Sequence, residues 1–547
     1  MVSTVDAVVP EQQESFSPNE RRLLVAVLFI VGAIPILMAV IALLDGWRVA
    51  GDNAIIGLHV KGLLRGELPL IGLPSTGENL GSGVESNHPG PFALYVFAPF
   101  VAVFGGPVGL ALGAAAINST AWVLSVLAAF RRGGLVLAAA TTLGLCLLGR
   151  SLGPAFLADP LSSNLGAFPT IAFVMLVWAV LAGNRDLLVW CLVAGTFTVQ
   201  AHLTYVAGGV GLTAVLVGTL LYQQRKAPLG FTRRDLTISG VVTGVLWLPV
   251  VVDQLFGSHN ISALIKTATS GESVGNGAGF AFGRLLFAVG VPPIWVQRIT
   301  GLDFLRKLDT VTTVSAVAIL VLLLVVCLMP IRGRLVDPAM RYFVLVLGAF
   351  LAASLYSAIK LPEAGTVKAS NLRWMWTGSM LVWLGAVGGA VRNTLIVRGT
   401  RIIRAIPIAV LALGLLTVSV EAVVRDPRDL SVRPMIDELD AVAADTPVGT
   451  YRIIYNGNAA LLTVGPAFAF ALAERGSIVY VDAGPFTRAY GDSAGFNGQK
   501  IDGTFYLSTG DEPMVPSGFE VKLLSEYPEK VGSDKYVNVA LAFGEGK

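Results

Sequence analysis

Between Leu23 and Leu44 the chain carries no charged side chain, and apolar stretches of this kind recur along most of its course. Lipid offers no hydrogen-bonding partner to a free backbone group, so a segment of about 20 apolar residues crosses a bilayer as a helix. Spans are expected over 23–44, 107–130, 135–149, 165–183, 187–203, 204–223, 235–253, 311–330, 339–358, 373–391 and 402–422, about eleven in all by hydropathy window. Only 14% of the 547 residues are charged, where a soluble domain carries about 25%. That balance excludes an ordinary soluble enzyme and a disordered chain. A net charge of +3, with basic residues in short clusters between apolar runs, excludes a nucleic-acid binder. The fold class expected is a polytopic α-helical membrane protein.

The first span follows Arg21 and Arg22, exceeds the length of a signal-peptide core and ends in Asp45-Gly46-Trp47, so it reads as an uncleaved anchor. Residues 1–20 are polar, contain two prolines, and read as a disordered cytoplasmic tail. With the N-terminus inside, Arg131-Arg132, Arg185, Arg225-Lys226 with Arg233-Arg234, and Arg332 with Arg334 all fall on the cytoplasmic side. So do Arg392, Arg398, Arg401 and Arg404, as the positive-inside rule requires. An odd number of spans then sends the C-terminus out of the cytoplasm, in a multi-pass protein of the cell membrane. The long outer segments are 45–106, 254–310 and 423–547, with a smaller one at 356–372. Residues 91–104, opened by Pro91, are too short for a span and read as an interfacial helix. Residues 280–296 contain Arg284, Pro292 and Pro293 and are expected to lie at the interface or re-enter.

The organisation expected is therefore a tail at 1–20, a membrane domain at 21–422 with a large first outer loop, and an extracytoplasmic domain at 423–547. In that last unit, helices at 437–444 and 459–474 alternate with strands at 451–455, 477–481, 504–507 and 536–542, the pattern of a small α/β sheet. It has no GxGxxG or P-loop to support nucleotide binding, and it reads as structural or as a polymer contact. Cys146, Cys191 and Cys327 sit inside apolar runs without a CxxC pair, which points to buried inert thiols rather than disulfides or zinc.

Candidate chemistry lies in the outer segments. Asp52, in Gly51-Asp52-Asn53-Ala54, precedes an apolar helical pattern through Leu64, which places a carboxylate at the N-terminus of a helix at the membrane boundary; an N-cap role fits the same position. His88 stands in Ser86-Asn87-His88-Pro89-Gly90-Pro91, a rigid setting that is either a binding element or a surface turn. Asp159-Pro160 and Asn164 form a short outer turn. Gln200-Ala201-His202 closes a span, where polar residues need a partner or a cavity. Cations on this side are few and include Arg284, Lys360 and Arg373. Arg373 opens Arg373-Trp374-Met375-Trp376, which reads either as an aromatic belt with a snorkelling arginine or as a lipid-phosphate site, to which a planar guanidinium is suited. His88, His202, Lys360, Arg373 and Trp374 are the candidate substrate-binding residues.

Taken in order, Gly51-Asp52-x-Ala54, His88-Pro89-Gly90-Pro91-Phe92 leading to Tyr95 and Ala98-Pro99, Gln200-Ala201-His202, Trp247-Leu248-Pro249 and Arg373-Trp374-Met375-Trp376 resemble the GT-C class of integral membrane glycosyltransferases. The resemblance is to a largely actinobacterial group of arabinofuranosyl- and mannosyltransferase-like proteins and covers residues 45–400. It implies a GT-C-like membrane domain, a polyprenyl-phosphate-linked sugar donor and an envelope glycan or glycolipid acceptor. It also implies inversion at the anomeric carbon, with Asp52 as general base and Arg373, then His88, near the lipid phosphate. Asp52 is followed by Asn53-Ala54 rather than by the paired acidic motif of metal-dependent members, so no metal and no cofactor is expected. The competing readings are a transporter or flippase of lipid-linked sugars, which would carry intramembrane charges and interrupted helices, and a non-catalytic envelope assembly protein.

Overall fold

The computed structural model describes residues 18–75, 85–269, 275–298, 308–328, 338–361, 369–398, 414, 433–491, 493–528 and 536–545. The helices are α1 (Pro18–Leu44), α2 (Asp52–Leu64), α3 (Phe92–Phe104), α4 (Gly106–Leu152), α5 (Pro154–Ala158), α6 (Ser162–Leu165), α7 (Ala167–Leu181), α8 (Leu188–Ala201), α9 (Leu203–Lys226) and α10 (Arg233–Phe256). They continue with α11 (Asn260–Thr269), α12 (Gly277–Val289), α13 (Thr310–Leu328), α14 (Pro338–Lys360), α15 (Trp374–Arg398), α16 (Arg433–Asp445) and α17 (Gly465–Glu474). Among the described residues seven helices are long and apolar enough to cross a membrane, and α4 is one of them. Non-helical backbone at Gly133 and Gly134, the latter at φ 62°, divides α4 in two, because glycine alone reaches that region without a Cβ penalty. The expected spans at 107–130 and 135–149 are its two halves.

Burial follows composition. The sequence of α7 is apolar on every side and the helix is buried along its whole length, as an all-round hydrophobic helix must be. By contrast, α10 leaves Val241, Val245, Leu248, Val251 and Leu255 exposed, an apolar flank of the kind that faces lipid. One end of the bundle gathers basic groups: Arg131 pairs with Asp186 at 3.1 Å, Arg132 donates to the Ala182 carbonyl at 3.2 Å and Arg185 donates to Gln223 at 2.7 Å. The opposite end carries α2, α3, α5, α6 and the C-terminal unit.

Two expectations at the edges change. Helix α1 starts at Pro18, so residues 18–20 of the expected tail are helical, with proline at an N-terminal position whose N–H has no partner to lose; 1–17 lie outside the described residues. The expected span 402–422 also lies outside them, apart from the helical Gly414. Residues 280–296, expected at the interface or re-entrant, form most of α12 and a 3-10 turn over Ile294–Val296. Ser379 and Trp383 of α15 donate to the carbonyls of Ala288 and Val289 at 2.6 and 2.8 Å, so α12 reaches about 13 Å along α15 from Trp374 at 1.5 Å per residue.

The C-terminal unit is a five-stranded sheet of β1 (Thr450–Asn456), β2 (Ile478–Asp482), β3 (Gly503–Gly510), β4 (Glu520–Pro528) and β5 (Tyr536–Glu545), in the order β2-β1-β3-β5-β4. Its first three strands are parallel and β5 pairs antiparallel with β3 and β4. Alternate residues Tyr451, Ile453 and Tyr455 are buried with Leu439 of α16 and Phe468 and Leu472 of α17 in one core. The expected helix 459–474 is a π turn over Ala460–Val464 followed by α17.

Candidate functional site

The C-terminal unit is fastened to the helical domain at the base of α2. Lys61 pairs with Glu474 at 2.6 Å, the other oxygen of that carboxylate accepts the N–H of Gly106 at 2.8 Å, and Arg48 pairs with Asp437 at 2.7 Å. Pro466 has no N–H for the carbonyl four residues back, and a π turn over Ala460–Val464 lies beside it, a form frequent at functional sites. The N–H of Gly51 donates to the Thr463 carbonyl at 3.0 Å. Gly51 has φ 52°, and a Cβ there would stand 2.8 Å from the Leu462 carbonyl oxygen. Asp52 follows as the first residue of α2 and is exposed; Gly51, with no side-chain cap, occupies the N-cap position. Asp52 is therefore a first-turn residue rather than the cap, where a negative charge meets the positive end of the helix dipole.

Asn53 carries the turn into the bundle. Its side chain hydrogen-bonds to the Asp159 carboxylate, which also accepts the Leu161 N–H at 3.0 Å and the Asn164 amide at 2.7 Å. Arg373 lies close enough to Asp159 to act on its charge, but burial outweighs all four contributions and raises the pKa of Asp159 above the usual carboxylate range. The Arg373 guanidinium sits 5.2 Å from the Phe156 ring and 4.9 Å from the Trp376 ring, with Tyr205 as a further electrostatic neighbour. Its Nε is buried without a hydrogen-bond partner. Arg373 is thus held between aromatic faces and one carboxylate, rather than snorkelling free.

The two histidines expected to bind substrate meet. His202 has extended backbone between α8 and α9, where its Nδ1 accepts the Thr204 N–H at 3.2 Å. The ring centroids of His88 and His202 are 4.3 Å apart. His88 is buried and its Nδ1 has no hydrogen-bond partner; desolvation lowers its pKa to about 4. The loop that carries it is fixed from three sides. Asn260 of α11 accepts the Asn87 N–H at 2.8 Å, Gln200 accepts the Phe92 N–H at 3.3 Å, and Arg488 of the C-terminal unit donates to Asn87 at 2.5 Å. His88 is therefore not a surface turn.

Two expected residues fall outside this cluster. Trp374 is buried, its ring edge-on to Phe350 at 6.2 Å, in the position of a core residue. Lys360 ends α14 on the exposed side, next to the α12 entry, where Asn276 bonds to the Leu361 carbonyl. Conversely, Asn53, Tyr205, Arg488 and Tyr490 belong to the region without having been singled out. Tyr490 is buried, stacked on Tyr455 at 6.0 Å, and feels the charge of Asp52. Nothing in the local sequence marks it, since the contact joins residues from opposite ends of the chain. Among the described residues, no group of three or more His, Cys, Asp or Glu is placed to hold a metal ion.

No protein-family model matches the chain, and no curated protein matches it in sequence. In structure it is similar to ArnT from Cupriavidus metallidurans bound to undecaprenyl phosphate, with TM-score 0.52 and 14% identity over 96% of this chain and 98% of that one. Against the same protein in the apo state the TM-score is 0.41, with 14% identity over 95% and 98% of the two chains. At this identity the likeness concerns architecture: the chain has an ArnT-like fold, a polytopic helical membrane domain followed by a small C-terminal α/β domain.

Proposed function

We propose that this protein is an inverting membrane glycosyltransferase that takes a sugar from a polyprenyl-phosphate donor and passes it to a hydroxyl of an extracytoplasmic envelope glycan or glycolipid. The observation that carries the reading is the exposed Asp52 carboxylate at the N-terminus of α2, adjacent to Asn53, whose side chain reaches the carboxylate beside Arg373. Base and cation are joined by one short rigid link. The ArnT neighbour, solved with undecaprenyl phosphate, supports a lipid-linked donor on this fold.

In this mechanism Asp52 accepts the proton of the acceptor hydroxyl while its oxygen attacks the anomeric carbon. The bond from that carbon to the phosphate oxygen breaks, and the polyprenyl phosphate departs with the electron pair. General-base assistance is worth about 10²–10⁴-fold. Arg373 supplies fixed positive charge toward the leaving phosphate, while the buried, neutral His88 beside His202 offers a hydrogen-bonding ring to the same group. The sequence resemblance favours an arabinofuranosyl or mannosyl unit as the sugar transferred.

The test is a proteoliposome assay with radiolabelled polyprenyl-phosphate sugars and a soluble acceptor glycan. Asp52→Asn is expected to lower turnover by at least about 10²-fold, and Arg373→Ala to lower kcat. Equal turnover by native protein and Asp52→Asn overturns the assignment of the base. Movement of the intact lipid-linked sugar across the bilayer, without transfer, would replace the reading with that of a flippase.

A further inference from the structure

Gln200 in the last turn of α8, Asp253 in the last turn of α10 and Asn260 at the start of α11 are at most 3% exposed. The transfer chemistry above uses none of them. Burying such groups is costly unless each is hydrogen-bonded, and here each is. The Asp253 carboxylate accepts the Asn260 N–H at 3.0 Å and both the N–H and the hydroxyl of Ser258 at 2.8 Å. The turn so closed holds His259 at φ 56°, a region that sterics make rare for a residue with a Cβ. Strained backbone of this kind persists where the surroundings over-determine it, often at functional sites.

Both amides grip the chain that carries His88. Asn260 accepts the Asn87 N–H at 2.8 Å and returns its own amide N–H to the Asn87 carbonyl at 3.2 Å, so it pairs with that backbone as a neighbouring strand does. Four residues past His88, Gln200 accepts the Phe92 N–H at 3.3 Å, and a Cβ on Gly90 would collide with its amide. Pro89 and Pro91 fix two of the intervening φ angles, so a hold at Phe92 is passed back to His88. Gln200 also stands two residues before His202, and it therefore ties together the two chains whose rings meet at 4.3 Å. His88 is buried and its Nδ1 has no hydrogen-bond partner. The aim of that ring depends on the backbone beneath it.

The two grips share one support. Gln200 donates to the Leu246 carbonyl at 3.0 Å, and the Asn260 N–H is held by Asp253. Leu246, Val250 and Asp253 are spaced i, i+4 and i+7 on α10 and form one face of it, opposite the exposed Val245, Leu248 and Leu255. Trp247 adds a bond to Thr196 of α8 at 3.0 Å. Building on the glycosyltransferase reading above, we propose that Gln200 and Asn260 are positioning residues, two buried amides backed by α10 that hold His88 beside His202 for the phosphate of the polyprenyl donor. Neither touches the substrate; each acts through His88.

The experiment measures Kd for farnesyl phosphate, a short polyprenyl phosphate without a sugar, by isothermal titration calorimetry of the full-length protein in nanodiscs. His88→Ala is expected to weaken binding about tenfold or more, as the loss of a hydrogen bond to a charged group does. Asn260→Ala and Gln200→Met are each expected to weaken it about threefold to tenfold, the scale of one ordinary hydrogen bond. Added to His88→Ala, neither should weaken it further, because a residue that acts through a side chain loses its effect once that side chain is gone. Methionine keeps the length of glutamine without its hydrogen bonds, so Gln200→Met decides the matter should Asn260→Ala fail to fold. Native Kd in these two variants, with His88→Ala weakened, overturns this inference alone. An equal further loss in the His88→Ala background also overturns it, in favour of general packing. Native Kd in His88→Ala, or no binding by the native protein, overturns both this inference and the phosphate role of His88 beneath it, while Asp52 as the base stands or falls by its own assay.

Discussion

The imidazoles of His88 and His202 lie 4.3 Å apart, inclined at 43°, although one belongs to the loop before α3 and the other to the break between α8 and α9. The break is what makes the contact possible. With extended backbone at φ −160° and ψ 148°, His202 leaves the helical path and turns its ring out of the stack of turns. His88 reaches it from a loop whose flanking prolines restrict its backbone.

Stability should fall in acid because of this pair. The unfolded chain's histidine takes a proton near pH 6.5, whereas buried His88 resists protonation until about pH 4. Between those values the unfolded state binds more protons, so stability is present in full above pH 6.5 and is lost as the pH falls toward 4. The interval is worth about 3 kcal/mol. His88→Gln is expected to flatten that part of the pH dependence, read as unfolding temperature against pH in detergent micelles. An unchanged slope would mean that His88 is not held neutral.

Asp159→Asn should be costly despite its similar shape. The carboxylate accepts three hydrogen bonds, from Leu161, Asn164 and Asn53, and balances Arg373. An amide group turns one acceptor into a donor facing donors, which leaves at least one group unsatisfied at about 1–3 kcal/mol. The expected results are a lower unfolding temperature and a reduced kcat, since the same change loosens Asn53 beside Asp52. Arg373→Lys tests the other half: a lysine cannot lie flat between Phe156 and Trp376, so the variant should bind donor less tightly while retaining charge.

Glu474→Gln should loosen the join between domains. One carboxylate holds Lys61 of α2 and the first N–H of α4, where its negative charge also meets the positive end of a helix. Both side chains of the ion pair are mostly buried, at 22% and 19% exposed, so the bond is worth about 1.5–3 kcal/mol. Faster amide hydrogen exchange in α17 and in the first turn of α4 is the expected outcome.

Much of this was legible in the sequence because membrane spans announce themselves residue by residue. The first ten expected spans fall on helices of the structure, while Asp52, His88, His202 and Arg373 stand out in the sequence as polar residues near the ends of apolar runs, which marks them as candidates only. Strand β4 escaped notice because Glu520, Lys522 and Glu526 break its apolar content, as charges on a sheet's edge strand often do. Trp374 shows the limit of such reading: an aromatic beside an arginine at a helix end reads equally as belt, site or core, and its burial edge-on to Phe350 is a matter of tertiary packing. Tyr490 and Arg488 were out of reach for another reason. Asn87, which Arg488 bonds, and Asp52, whose charge acts on Tyr490, lie some four hundred residues away, and no local period or motif encodes proximity at that separation.

Gly51→Ala brings the two domains and the site into one measurement. The residue sits at φ 52°, where a Cβ costs of order 1 kcal/mol. That Cβ would also stand 2.8 Å from the Leu462 carbonyl oxygen, closer than real contacts allow, and backbone on both sides has little room to give. The π turn over Ala460–Val464 must therefore withdraw, stretching the 3.0 Å bond from the Gly51 N–H to the Thr463 carbonyl, or the first turn of α2 must rotate and carry Asp52 away from Asn53's anchor. Either movement displaces the base by a fraction of an ångström to an ångström, enough to cost about 10²-fold in rate. The expected outcome is a folded protein, slightly less stable, with kcat reduced much more than donor affinity. A Gly51→Ala variant with native kcat and native unfolding temperature would show that the α2 N-terminus does not depend on the C-terminal domain for its position.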